Sequence, residues 1–137
     1  MKKKSIFLVV LLFAIILPVF SQVKPTLMKY TINGDEVLPY NVRSIDYTKM
    51  GNQEVFKVYY RQDTRYYDQY IFTPTSNVNQ RVANYSFRCT IGANTGEEHA
   101  IAGTATRTID STGSSVEWVL SATYVGQSIR IVFQHNS

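Results

Sequence analysis

Residues 115–133 read Ser-Val-Glu-Trp-Val-Leu-Ser-Ala-Thr-Tyr-Val-Gly-Gln-Ser-Ile-Arg-Ile-Val-Phe. Val116, Trp118, Leu120, Ala122 and Tyr124 fall on alternate positions, with Ser115, Glu117, Ser121 and Thr123 between them. Ile129, Ile131 and Phe133 repeat the pattern against Ser128, Arg130 and Gln134. A period of two is that of a strand with one buried face. Val125-Gly126-Gln127 supplies the short glycine-containing turn of an antiparallel hairpin.

Working outward, the rest of the chain reads the same way. Leu27 to Ile32 is a strand ended by Asn33-Gly34, a pair that favours the positive φ of a tight hairpin turn. Further strands are expected over Val37 to Tyr47, bent near Pro39, over Val55 to Arg61, Arg65 to Phe72, Val82 to Ile91 and Ala100 to Ile109. The loops between them carry Gln62-Asp63-Thr64, Thr73 to Asn77, Gly92 to Gly96 and Asp110 to Ser114. The one stretch with room for a short helix is Asn77 to Asn84. About eight antiparallel strands at this spacing predict a single small all-β domain, built as a sandwich or an up-and-down barrel.

The first residues belong to a different grammar. Lys2, Lys3 and Lys4 precede an apolar run from Ile6 to Phe20, and Val19 and Ser21 stand at −3 and −1 of a cleavage point before Gln22. This is the form of a secretory signal peptide over 1–21. Its apolar run is shorter than the roughly 20 residues that span a bilayer. The domain then occupies 22–137, and the expected address is the periplasm or the outside of the cell, without stable membrane insertion.

The leader also carries most of the net charge. The chain has 14 basic and 10 acidic residues, net +4; without Lys2, Lys3 and Lys4, 11 basic residues face the same 10 acids. No basic cluster remains of the kind that displaces counterions from nucleic acid. Cys89 is the only cysteine, so no disulfide frames the domain, and its place between Phe87 and Ile91 marks it as a buried thiol.

The densest unusual composition is the hairpin from Phe56 to Phe72, with Tyr59, Tyr60, Tyr66, Tyr67 and Tyr70 and with Arg61, Asp63, Arg65 and Asp68 beside them. Adjacent strand residues face opposite ways, so tyrosines stand on both faces of the hairpin. A flat ring with a polar tip suits a protein partner or a saccharide. The sequence therefore points to an exported, non-enzymatic binding domain using Tyr59, Tyr60, Tyr66, Tyr67, Tyr70, Arg61 and Arg65. The alternative is a carrier of a small apolar ligand, with Trp118, Leu120, Phe87 and Ile131 walling a barrel interior. A small hydrolase would have to bring Glu97, His99 or His135 together in a cleft. Phosphate loops, nucleophile elbows and dinucleotide glycine fingerprints are missing from the sequence. Two histidines and one cysteine make a poor metal set, and no cofactor is expected.

Overall fold

The computed structural model describes residues 23–37, 41–62, 65–97 and 99–137. The leader, Pro39 at the expected bend, and Asp63, Thr64 and Glu98 lie outside the described residues. Among the described residues nine strands form one antiparallel sheet: β1 (Thr26–Ile32), β2 (Asp35–Glu36), β3 (Val42–Met50), β4 (Gln53–Tyr60), β5 (Tyr67–Pro74), β6 (Val82–Ile91), β7 (His99–Ile109), β8 (Ser115–Tyr124) and β9 (Gln127–Asn136). Their order across the sheet is β2-β1-β9-β8-β7-β6-β5-β4-β3. From β3 to β9 this is a plain meander; β1 then returns to pair with the last strand.

The expected strands are present, with particular differences. The ninth strand is β2, two residues long and paired only with Thr31 and Ile32. Val37 lies outside any strand and β3 starts at Val42, while β5 starts at Tyr67, leaving Arg65 and Tyr66 in the preceding loop. Residues 78–81 form turns and bends, and among the described residues there is no helix. The architecture is one sheet curled into a half barrel, not two stacked sheets.

The curl is driven by its inner face. Phe56 and Phe72 from β4 and β5 meet Trp118 and Phe133 from β8 and β9, with ring centroids 5.7 Å apart for Phe56–Trp118, 5.3 Å for Phe56–Phe133 and 4.4 Å for Phe72–Trp118. Strands three to five places apart in the sheet thus share one core, and folding the sheet over removes both sets of rings from water. Trp118, Leu120, Phe56, Phe72 and Phe133 are fully buried, each such side chain contributing about 1.5–3 kcal/mol by its burial. Gly103 lets the curl tighten: a Cβ there would stand 2.1 Å from the Ser121 carbonyl oxygen, so β7 can lie this close to β8 only without a side chain.

The barrel does not close. β3 and the N-terminal part of β1 face each other across a seam, and no backbone ladder joins them among the described residues. A cleft of about 580 Å³ lies along it between Val23–Pro25 and Ser44–Thr48. The barrel has two ends. At one, Arg107 donates to the Tyr85 hydroxyl (3.0 Å) and to the carbonyls of Val78 (3.0 Å) and Gln80 (2.8 Å), pinning the β5–β6 loop across the opening. The other end carries the tip of the β4–β5 hairpin.

Candidate functional site

The register of β4 and β5 sorts the tyrosines. Tyr59 pairs with Tyr67, and Val58 with Asp68, so Tyr59 and Tyr67 face outward while Tyr60, Asp68 and Tyr70 follow Phe56, Val58 and Phe72 inward. On the outside, the rings of Tyr59 and Tyr67 lie 5.3 Å apart, with the Arg43 guanidinium 5.4 Å from Tyr59 and the Lys57 ammonium 5.1 Å from Tyr67. These rings are already engaged by their neighbours, in the cross-strand and cation–π pairs that stabilise a sheet surface. Arg61 and Arg65 are exposed at the tip; the Arg61 N–H donates to the Asn41 carbonyl (2.6 Å), and the Arg65 carbonyl accepts from the Asn94 side chain.

The inward set makes a different surface. Tyr60, Asp68, Tyr70, Cys89, Ile101 and Tyr30 line a cavity of about 260 Å³ at this end of the barrel, completed by Ile32, Val37 and Ile91. The volume is just under the ~300–1,000 Å³ usual for a small-molecule site. A second hollow of about 250 Å³, lined by Asn41, Gln62 and Tyr66, shares Tyr60 and Asp68 with the first. An antechamber of mixed lining therefore adjoins the apolar pocket, and the two share one hydrogen bond: the Tyr60 hydroxyl donates to Asp68 Oδ2 at 2.5 Å.

Asp68 is 9% exposed, an unusual place for a carboxylate. Its Oδ1 accepts the backbone N–H of Gly92 at 3.0 Å. Gly92 has a φ of +58°, and the Tyr66 ring lies so close that a Cβ at Gly92 would be 2.7 Å from it. The β6–β7 loop is thereby clasped to the hairpin tip, helped by the Ala93 N–H donating to the Tyr67 carbonyl (2.9 Å). Tyr60 and Tyr66 pack against each other with centroids 5.8 Å apart. Burial raises the pKa of Tyr60, and its hydrogen bond to Asp68 adds to the shift. Burial likewise holds Tyr30, Tyr66 and Tyr70 above the usual phenol range, with the charge of Asp68 acting in the same direction. The rings lining the site stay neutral hydrogen-bond donors through ordinary pH.

The other expected residues lie elsewhere in the barrel. Trp118, Leu120, Phe87 and Ile131 are packed core, and the cavity lies beyond them toward the hairpin tip. Glu97 and His99 approach within 3.9 Å on an exposed loop end. His135 sits at the far end of the barrel, where its Nε2 accepts the Trp118 indole N–H (3.0 Å) and its Nδ1 meets the Asn136 carbonyl (2.6 Å). Among the described residues, Glu97 and His99 therefore do not converge with His135. Among the described residues no three metal-ligating side chains gather. Of the cavity residues, Tyr30, Cys89 and Ile101 escape a local reading, because three separate strands bring them in. Asp68 leaves a trace in the sequence: it occupies the inward parity of Tyr70 and Phe72, where a carboxylate needs a reason. No family model, curated protein or solved structure matches this chain.

Proposed function

We propose that this chain is an exported, non-enzymatic binding domain whose contact site is the inner, tyrosine-lined end of the half barrel. One observation carries the reading: an apolar cavity opens at the hairpin tip and holds a single built-in polar pair, Tyr60 and Asp68. Mostly apolar walls with a few convergent polar groups are the form of a binding pocket. Its size suits a small ligand or one side chain of a protein partner. Stacking of a saccharide on Tyr59 and Tyr67 is the weaker reading, because Arg43 and Lys57 already lie over those rings. Export rests on the leader read at 1–21, outside the described residues.

A neutral probe tests the site. Titration of the purified protein with 3-phenylpropan-1-ol, followed by backbone amide shifts, is expected to move Tyr30, Asp68, Cys89 and Ile101 and to leave Lys57, Tyr59 and Tyr67 in place. Shifts confined to the outer tyrosines would transfer the binding surface to the outer face.

A further inference from the structure

The pocket of the proposed binding site has a chemical preference of its own. Among the described residues lining its two hollows, Asp68 is the one charged side chain. Tyr60 and Gly92 donate to one carboxylate oxygen each, and the Tyr66 side chain is a third hydrogen-bonding neighbour. A carboxylate offers about four acceptor positions in all, so a further donor is accommodated. A carboxylate withdrawn from water is costly unless matched by a donor, and best matched by a positive one. The surrounding rings act with it. Tyr30, Tyr60 and Tyr70 line the inner pocket and Tyr66 the antechamber, and an aromatic face attracts a cation electrostatically. The apolar walls of Ile32, Ile91 and Ile101 offer nothing to a second charge but fit a hydrocarbon stem.

From this arrangement we infer that the pocket binds an organic ammonium: a positive head at Asp68 among the tyrosine rings, on an apolar stem that enters beside Ile101. Two sources supply that chemistry, a free amine or the lysine side chain of a partner. The inference rests on the proposed binding site, and it excludes anions, which would meet Asp68 with like charge.

The test compares two probes of nearly equal shape, 3-phenylpropylammonium and 3-phenylpropan-1-ol, by calorimetry and amide shifts on the purified protein. The ammonium is expected to bind at least about tenfold more tightly, the scale of a charge-assisted hydrogen bond plus a cation–π contact. In Asp68→Asn, which keeps the shape and an acceptor for Tyr60, the two probes are expected to bind alike. The wild-type comparison stands even if that variant unfolds. A blocked Gly-Lys-Gly peptide forms the second arm: tighter binding than the free ammonium assigns the site to a protein partner, and weaker binding assigns it to a small amine. If the alcohol binds as tightly as the ammonium, the inference falls and the binding site stands. If neither probe moves the pocket amides, both fall together.

Discussion

Single residues in this barrel are governed by the parity of their strand. That Tyr59 and Tyr60 face opposite ways was legible from their adjacency alone; which of them turns inward was not. The decision belongs to the register of β4 against β5, which sets Val58 opposite Asp68 and aligns Tyr60 with the buried Phe56. Cys89 shows the opposite case, a role readable from its alternating neighbours and found as expected. It is 2% exposed, and burial, with the Asp68 charge acting the same way, pushes its thiol up to about 12. Only the thiolate is nucleophilic, so a rise from 9.0 to about 12 cuts the reactive population at pH 8 by roughly a thousandfold. Iodoacetamide is therefore expected to alkylate Cys89 in the folded protein at least about a hundredfold more slowly than in the urea-unfolded chain. Equal rates by mass spectrometry would show that the thiol is not shielded.

At the level of elements, strands with one strict inner face were readable. β6 alternates exposed and buried residues from Val82 to Cys89 without a fault. β2 was not, because two residues carry no periodicity and are held only by pairing with β1. The exposed edge at β3 is interrupted by a register shift between Val42 and Ser44 and carries the exposed charges of Arg43, Asp46 and Lys49, devices that discourage pairing with a foreign strand. The β8–β9 hairpin has a local fault. Tyr124 pairs with Gln127, so Val125 and Gly126 alone make the turn, with φ of 50° and 74°. Positive φ at both centres suits Asn-Gly, as at Asn33-Gly34 with 53° and 84°. A β-branched residue is strained there. Val125 is also 83% exposed, so its side chain gains little by packing. Val125→Asn is expected to stabilise the protein by about 1 kcal/mol, seen as a rise of several degrees in Tm; a lower Tm would mean the valine makes a contact that outweighs its backbone strain.

For the whole molecule, a core rich in phenols and one thiol makes alkali the vulnerable side. Tyr85 is pushed up to about 12, by burial first, and Cys89 to about 12, while Tyr47, Tyr60 and Tyr70 are raised as well. In the unfolded chain these groups lose their protons from about pH 9 to 10 upward, but in the folded protein they keep them. The unfolded state then binds fewer protons, so stability is full below about pH 9 and drains away as the pH rises toward 12. Urea midpoints are expected to fall steadily from pH 8 to 11; a flat profile would mean the phenols ionise freely in the folded barrel. The order of strands adds a consequence in time. Among the described residues, β1 makes its backbone ladder with β9, Thr26 opposite Gln134, and otherwise only with the short β2. A chain made from its N-terminus completes the meander from β3 to β9 while β1 still waits, for about a hundred residues, for the strand that will hold it. The first strand of the sheet in chain order is therefore the last to be secured, and it must be kept from pairing elsewhere until β9 (Gln127–Asn136) is available to hold it.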